Sequence, residues 1–412
     1  MLIFAIFFHP SITFTALGGA EKRFLYVLDR WLRMGVNIIV VDSQPGLLAK
    51  YCKTPSCQII NLPGLLGSRA KNLFLMYLDW FLWLLKAAFL CTLLIKHENC
   101  DIILSPNNVL PSLAIAVLLR FISHKPLCVI VHHLDFIHAG SRASFWQICH
   151  GYRKTQFNRF FALLKTIFTL ATLFLLKYAD VYIAVSKTTA ELLVINGIPR
   201  NKVHISGNAV DIQYIDNVEG GEKIYDGIFV GRISRDKGIF DLIQSWKEIS
   251  KTIKGPKLVI IGSGPDSHEL EYKIRVSGLE ENIFFKGPCS DEELFRFMKS
   301  SKILILPSMF EGWGMTIAEA LACGLPVVCY NIPAIREIFG ACKSVFLVPA
   351  KDVDKLTATI LKVMNMNTEE LAKISKEYVK KFSWDEIALK DLKIIERVVI
   401  ENFSLRSLSQ GR

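Results

Sequence analysis

The sequence PSMFEGWGMTIAEALACGLP, residues 307–326, contains the strongest evidence for the fold of this chain. It lies between two apolar runs, at 303–306 and 327–330, which predict buried strands. The glycine-rich turn after the first run leads into a short helix that begins near Met315 and Thr316. Because the free N–H groups and the dipole at a helix start attract anions, the stretch predicts a phosphate or diphosphate site.

Two carboxylates flank this helix start. Glu311 lies in the turn, and Glu319 lies about one turn inside the helix. A carboxylate repels phosphate but accepts hydrogen bonds from sugar hydroxyls, so the pair beside a phosphate site favours a nucleotide sugar as ligand. The alternative is an ordinary helix end at Gly324 and Pro326, with Glu319 facing solvent.

Composition limits the classes of partner. The chain has 412 residues, enough for two domains, and its formal net charge is +11. This charge favours anionic partners, namely phosphorylated substrates or acidic lipid. The sequence contains no zinc-finger spacing and no repeat typical of a nucleic-acid module, so nucleic acid is not expected as a partner.

The cysteines and the first residues bear on location. Ten cysteines are scattered without a Cys-x-x-Cys motif, which favours reduced thiols over a disulfide framework or a zinc site. The apolar start, residues 1–8, lacks a basic region and a cleavage site, so it predicts a buried strand rather than a signal peptide. We therefore expect a cytoplasmic protein, which could be peripheral on the inner face of the membrane.

The first part of the chain predicts a βαβ unit. A strand at 2–8 is followed by a loop at 9–21 that contains Gly18 and Gly19, then by a helix from Lys22 and a strand at 36–41. Strands and helices continue to alternate up to residue 205. Such alternation is typical of an α/β protein with a parallel sheet and helices on both faces.

Periodicity is lost between residues 206 and 223, and a second α/β series begins at 228. We therefore predict an N-terminal Rossmann-like domain at 1–207, a linker at 208–224 and a C-terminal Rossmann-like domain at 225–382. The remaining residues, 383–412, form a last helix and tail.

Two apolar segments, at 73–95 and 160–176, raise the question of a membrane. The first contains Asp79 and Lys86 and the second Lys165, and a charge at mid-bilayer costs about 2.5–3.5 kcal/mol. A single crossing would also put strands of one sheet on opposite sides of the membrane. We expect apolar helices that lie on the sheet and partly in the membrane interface. Nearby basic residues could meet anionic lipid, or they form a solvated loop: Arg142, Arg153, Lys154, Arg159 and Lys165.

Several motifs, taken in order along the chain, resemble those of the family 4 glycosyltransferases. This family has the GT-B fold, in which two Rossmann-like parallel-sheet domains face each other across a cleft and a C-terminal helix crosses back to the N-terminal domain. The resemblance covers nearly the whole chain and is strongest over 226–340. The motifs are Gly18-Gly19-Ala20-Glu21, Ala184-Val185-Ser186, Asn208-x-Val210-Asp211, Gly231-Arg232-x-x-x-x-Lys237-Gly238, Gly262-x-Gly264-Pro265, the stretch 307–327, and Phe382-Ser383-Trp384.

The resemblance implies roles for the C-terminal domain. The donor diphosphate would be held by cations and by N–H groups at a helix start: Arg232, Lys237, Gly314, Met315 and Thr316. Glu319 would accept hydrogen bonds from the ribose, and Glu311 would contact the donor sugar. Lys286 would lie near the base, and Gly262 and Gly264 would form part of the donor site.

In the N-terminal domain, the resemblance implies that Gly18 and Gly19 approach the donor closely. It also implies a histidine after the strand at 127–131. Two candidates are present, His132 and His133. We favour His132 as the residue that faces the donor sugar, and the alternative is a histidine that is only hydrogen-bonded at a strand end.

The resemblance implies a retaining transferase that moves a sugar from a nucleotide-diphosphate sugar to a hydroxyl of a glycan or a lipid-linked acceptor. Arg232, Lys237 and the helix start would stabilise the leaving diphosphate, so no metal is expected. Two alternatives stay open, a nucleotide-sugar epimerase with the same fold and a non-catalytic sugar- or lipid-binding relative. A dinucleotide dehydrogenase is disfavoured because the turn at Gly262 lacks a third glycine.

Overall fold

The chain forms two parallel sheets in a computed structural model that describes residues 1–8, 18–44, 46, 48, 54–66, 73–134, 141–154 and 159–410. The first sheet has seven strands: β1 (Leu2–Phe7), β2 (Asn37–Asp42), β3 (Cys57–Asn61), β4 (Ile102–Ser105), β5 (Leu127–Val131), β6 (Val181–Ala184) and β7 (Val203–Ile205). Their order is β3-β2-β1-β4-β5-β6-β7, and every pairing is parallel.

Helices cover both faces of this sheet, as the apolar strand sequences predict. The helices are α1 (Gly19–Arg33), α2 (Leu73–His97), α3 (Leu110–Ser123), α4 (Phe145–Lys154), α5 (Arg159–Leu176) and α6 (Lys187–Ile195). The short helix α7 (Ile212–Asn217) follows, and its Ile215 belongs to the core of the C-terminal half. One face packs against α2 to α6, and the other packs against α1 and the last helix of the chain. The domain is therefore a three-layer α/β unit.

The second sheet has six strands: β8 (Gly227–Val230), β9 (Leu258–Ile261), β10 (Ile283–Gly287), β11 (Leu304–Leu306), β12 (Val327–Tyr330) and β13 (Val345–Val348). Their order is β10-β9-β8-β11-β12-β13. The helices of this half are α8 (Ile239–Thr252), α9 (Ser267–Val276), α10 (Asp291–Lys299), α11 (Met315–Ala322), α12 (Pro333–Phe339), α13 (Val353–Met364), α14 (Thr368–Val379) and α15 (Trp384–Gln410). The two sheets confirm the predicted fold class, and the exact domain boundaries stay a prediction.

The structure corrects the predicted glycine loop. Helix α1 begins at Gly19 rather than at Lys22, and Gly18 is its extended N-cap residue. Residues 9–17 of the expected loop lie outside the described residues. Strand β3 was missed because its residues are only partly buried at the sheet edge and follow no long apolar run.

Most described cysteines are free thiols, as expected. The prediction is wrong for Cys57, which is disulfide-bonded.

Helix α15 crosses back to the N-terminal domain, where it packs against α1. The indole N–H of Trp31 donates to the carbonyl of Ala388 at 2.9 Å, and Arg30 Nε lies 3.1 Å from Asp385 Oδ1. Tyr26 and Trp384 stack with ring centroids 5.0 Å apart. The predicted crossover helix is therefore confirmed.

Beside these contacts lies an ion pair that is fully buried. Arg23 Nη2 is 2.7 Å from Asp391 Oδ2, and both side chains are 0% exposed. The same guanidinium donates to the hydroxyl of Ser206 and to the carbonyl of Gly207. One cation therefore ties α1, the end of the N-terminal domain and α15 together.

Two helices, Phe74–His97 and Arg159–Leu176, are long and apolar enough by length and composition to cross a membrane. Helix α2 nevertheless buries one face in the core, including Trp83 and Cys91. Asp79 is also buried and accepts a hydrogen bond from the backbone N–H of Leu66 at 2.7 Å. The predicted arrangement of apolar helices lying on the sheet therefore fits the packing of α2.

We predict that Arg23→Met lowers the free energy of unfolding by about 3–5 kcal/mol, because it leaves the carboxylate of Asp391 buried without its cation. Urea unfolding measures the change. Arg33→Met is the matched control, since Arg33 lies on the same helix in an exposed pair with Asp29. The double variant with Asp391→Leu should recover most of the loss. Equal effects of Arg23→Met and Arg33→Met would contradict the importance of the buried pair.

Candidate active site

The loops at the carboxyl ends of β8, β9, β10 and β11 meet at one edge of the second sheet. Backbone hydrogen bonds hold them together: Gly231 N–H to Ile261 O, Ile233 N–H to Ser263 O, Gly262 N–H to Gly287 O and Met309 N–H to Asp236 O. Ligands of parallel α/β sheets bind at this edge. The predicted Gly262 and Gly264 turn is therefore next to the Arg232 loop.

Gly262 is required for this close approach. Its φ is +133°, and a Cβ atom there would lie 1.9 Å from the carbonyl oxygen of Gly231. Any side chain would both strain the backbone and push the two loops apart. The glycine thus keeps the ends of β8 and β9 in contact.

The two predicted cations lie in this group of loops, and each contacts a carboxylate. Lys237 Nζ is 2.7 Å from Glu311 Oε1, and both side chains are mostly buried. Arg232 is about half exposed, with Nη2 2.9 Å from Asp236 Oδ2. The structure therefore brings Lys237 and Glu311 together, although they are 74 residues apart in sequence.

The start of α11 has the predicted form. Gly314 is its N-cap residue with a φ of +96°, and Met315 and Thr316 form the first turn. Glu319 follows one turn later and is only 8% exposed. The N–H groups at this helix start are those that the sequence assigns to a diphosphate.

The N-terminal domain approaches this helix start directly. A Cβ atom on Gly312 would lie 1.8 Å from the carbonyl oxygen of His132, and one on Gly19 would lie 3.0 Å from Met315 Sδ. Loop 311–314 therefore faces the end of β5, and α1 begins beside α11. The structure thus brings together the predicted residues of both domains across the cleft.

The two histidines have different surroundings. The ring of His132 is buried, and its Nε2 lies 3.1 Å from the carbonyl of Pro106, so Nε2 carries the proton. Burial lowers the pKa of His132 to about 3, and the charge of Arg23 acts in the same direction. His133 is exposed, and its carbonyl accepts a hydrogen bond from Asn108. His132 is therefore a neutral imidazole at the cleft.

The remaining predicted residues lie at the borders of the site. Lys286 is exposed on β10, the edge strand of the second sheet, one residue before Gly287. Gly18 precedes α1. Neither position tests the role that the sequence suggests for it, so both roles stay predictions.

Sequence reasoning missed two contacts between the domains. Lys22 Nζ lies 3.1 Å from Glu319 Oε1 and 2.9 Å from Asp291 Oδ1. Glu337 on α12 accepts hydrogen bonds from the backbone N–H groups of Lys187 and Thr188, the first residues of α6. The sequence does place Lys22 at the start of a helix, where positive charge is unfavourable unless it is paired. That position could have indicated an ion pair, although not its partners.

In the described part of the chain, no three His, Cys, Asp or Glu side chains are grouped as a metal site would require. Two carboxylates separated by one residue, Asp352 and Asp354, lie at the start of α13. Asp352 caps that helix by accepting a hydrogen bond from the N–H of Lys355. The expected independence from metal stays a prediction.

Solved structures define the fold class. Sucrose-phosphate synthase of Thermosynechococcus elongatus is 18% identical with a TM-score of 0.75, and the match covers 97% of this chain and 99% of that one. HepE of Anabaena, in complex with UDP and glucose, is 16% identical with a TM-score of 0.69, covering 96% and 99%. The chain therefore has the GT-B fold.

The family follows from sequence. The model of Glycosyltransferase Family 4 matches residues 17–214, and that of Glycosyl transferases group 1 matches residues 216–382. An uncharacterised glycosyltransferase of Methanocaldococcus jannaschii is 30% identical over 173 residues, 39% of this chain and 42% of that protein. The chain spans about half the length of the curated relatives it matches. It belongs to the family 4 glycosyltransferases.

We predict that His132 makes the protein less stable as the pH falls. Because its pKa is about 3 in the folded protein and about 6.5 when unfolded, only the unfolded chain takes up the proton between these values. The contribution of neutral His132 to the free energy of unfolding is complete above pH 6.5. It should decrease by about 2 kcal/mol between pH 6.5 and 5. Urea unfolding at both pH values measures this loss.

His132→Gln should remove that part of the acid sensitivity, whereas His268→Gln, at a fully exposed histidine, should leave it unchanged. An identical loss of stability in wild type and His132→Gln would contradict the neutral, buried state of His132.

Proposed function

We propose that this protein is a retaining glycosyltransferase that uses a nucleotide-diphosphate sugar. The observation that carries the proposal is the grouping of Lys237, Glu311 and the start of α11 at the carboxyl edge of the second sheet. Cations and helix N–H groups suit a diphosphate, and carboxylates suit sugar hydroxyls. The complex of HepE with UDP and glucose supports a uridine nucleotide as the first donor to try.

In the proposed reaction, the oxygen of an acceptor hydroxyl bonds to the anomeric carbon of the donor sugar while the bond from that carbon to the diphosphate oxygen breaks. The acceptor attacks on the face from which the diphosphate leaves, and its proton passes to the leaving phosphate oxygen. Negative charge grows on the diphosphate, where Arg232, Lys237 and the N–H groups of Met315 and Thr316 would stabilise it. These fixed donors need no metal in the proposal.

The carboxylates and His132 would orient the donor. Glu319 would accept hydrogen bonds from the ribose and Glu311 from the sugar. Since His132 is neutral and donates through Nε2 to Pro106, its Nδ1 is an acceptor. We propose that His132 orients the sugar by hydrogen bonding rather than by acid–base catalysis, because its low pKa disfavours the charged form.

Lys237 contacts Glu311, and Arg232 contacts Asp236. We propose that the diphosphate replaces these carboxylates as the partner of both cations. Release of Glu311 would then make its carboxylate available to the sugar hydroxyls. Binding of the diphosphate and orientation of the sugar would therefore be coupled.

We predict that Lys237→Ala and Glu311→Ala each lower kcat/KM for sugar transfer by at least about a hundredfold, the usual effect of losing one transition-state stabilising group. A radiolabelled donor with an acceptor extract measures transfer. Lys251→Ala is the matched control, because Lys251 forms an exposed ion pair with Glu248 in the same domain. Transfer at wild-type rates by both site variants would rule out the proposed site.

The same assay separates the two alternatives. An epimerase would change the donor sugar without an acceptor, and product analysis of donor alone would reveal it. A non-catalytic relative would bind nucleotide without turnover. The matches to two glycosyltransferase family models support transfer over both.

We propose that the acceptor is lipid-linked or lies at a membrane surface, and that the protein works in the cytoplasm on the inner membrane face. The mostly free thiols support a reducing compartment. Support for the membrane comes from α2, whose exposed residues between 74 and 93 are all apolar, 38–67% exposed and spaced along one face: Phe74, Leu78, Phe81, Leu85, Phe89 and Leu93.

A second apolar face adjoins this one. Tyr77 of α2 and Phe168 of α5 pack with ring centroids 5.3 Å apart, and Ile167 and Phe174 on α5 are exposed. Exposed basic residues occur on and before α4 and at the start of α5: Arg142, Arg153 and Arg159. Apolar side chains beside cations suit an anionic bilayer surface.

We predict that the protein sediments with vesicles that contain phosphatidylglycerol, and that Phe81→Asp combined with Phe89→Asp lowers the bound fraction severalfold, because a charge must then enter the interface. Tyr272→Asp is the control, since Tyr272 is an equally exposed aromatic residue on the other domain. Equal sedimentation of both variants would contradict the assignment of this surface.

A further inference from the structure

Lys22 has surroundings that the proposed donor site does not explain. It lies in the first turn of α1, and its side chain is only 11% exposed. Its ammonium contacts Glu319 Oε1 at 3.1 Å and Asp291 Oδ1 at 2.9 Å. Both carboxylates belong to the C-terminal domain, so one mostly buried cation of the N-terminal domain joins two helices across the cleft.

The charge of Lys22 is retained in this position. Burial alone would lower the pKa of Lys22, but the carboxylates of Glu319 and Asp291 raise it above its ordinary value. A cation at a helix start is opposed by the helix dipole, so the two carboxylates must offset both the dipole and the burial. The side chain is therefore held in place by its partners rather than by its own helix.

Glu319 is bonded to Lys22 through one oxygen. Lys22 contacts Oε1, and in the described part of the chain Oε2 accepts from no other side chain. A carboxylate fixed at one oxygen has fewer orientations, so the other oxygen can be directed at a ligand hydroxyl with less loss of entropy. Glu319 itself is 8% exposed and leaves little room for movement.

The contact also depends on the distance between the domains. Gly19 lies beside Met315 in the same pair of helices, so α1 and α11 touch at both residues. If the domains separate, Lys22 leaves Glu319 because the two side chains belong to different domains. Lys22 can therefore hold the carboxylate of Glu319 only while the two domains are close together.

We propose that Lys22 is a positioning residue for ribose recognition: it fixes the carboxylate of Glu319 from across the cleft, so that ribose hydroxyls are recognised only in the closed protein. The inference rests on the proposed function, because it takes Glu319 as the ribose acceptor. It adds that the N-terminal domain takes part in reading the nucleoside, and that closure and ribose recognition are one event.

The test compares ribose and dideoxyribose nucleotides. Isothermal titration measures the Kd of UDP, GDP and ADP and of their 2′,3′-dideoxy forms for the full chain. Wild type should bind the best of the three ribonucleotides at least about tenfold more tightly than its dideoxy form, the effect of one hydrogen bond to a charged group. Lys22→Met should reduce this preference to about twofold or less, and leave the affinity for the dideoxy form unchanged.

Three further variants separate positioning from a merely structural role. Lys22→Arg keeps a cation and should restore most of the preference, whereas Lys22→Gln should lose most of it. Asp291→Asn leaves Lys22 on Glu319 and should keep the preference. Arg33→Met removes an exposed cation of the same helix and should behave as wild type.

The outcomes are distinguishable. If wild type binds none of the nucleotides, the proposed function fails and this inference fails with it. If wild type binds them and Lys22→Met keeps the full preference, or weakens both forms equally, only the positioning role is wrong. Tighter binding of ribonucleotide by Lys22→Met would show that Lys22 competes with the ribose, which also overturns the proposal. Should Lys22→Met fail to fold, Lys22→Gln provides the same comparison.

Discussion

Arg23 and Asp391 form an ion pair inside the protein, and the positions of three chain segments depend on it. The guanidinium belongs to α1, the carboxylate to α15, and the same guanidinium also bonds to Ser206 and Gly207 at the end of the N-terminal domain. Removing two charges from water is costly, so such a pair is kept only with well-placed partners. It fixes the direction in which α1 leaves the sheet and the place where the crossover helix returns.

The cleft follows from that placement. Because α1 packs on the sheet beside α15, its first turn meets the first turn of α11, where Gly19 approaches Met315 and Lys22 reaches Glu319. At the other wall, Gly312 fits against the carbonyl of His132. A ligand in the cleft would contact both domains, so its binding should be linked to the distance between them.

The fold could be largely predicted because its causes are local in sequence. Apolar runs separated by helices at regular intervals define parallel strands, and the stretch 307–326 contains its own turn, helix start and carboxylates. Pairs such as Lys22 with Glu319, 297 residues apart, leave no local pattern. The same holds for Glu337 at the start of α6, where only the packed domains bring the carboxylate to the helix. The choice of donor and acceptor depends on such distant contacts. The sequence therefore predicts the class of reaction, but neither the donor nor the acceptor.

The most direct measurement is a crystal structure of the protein with a nucleoside diphosphate. We predict that the diphosphate lies against the N–H groups of Met315 and Thr316, within hydrogen-bonding distance of Arg232 and Lys237, with the ribose at Glu319. A nucleotide bound elsewhere, or a diphosphate that contacts neither the helix start nor these two cations, would contradict it.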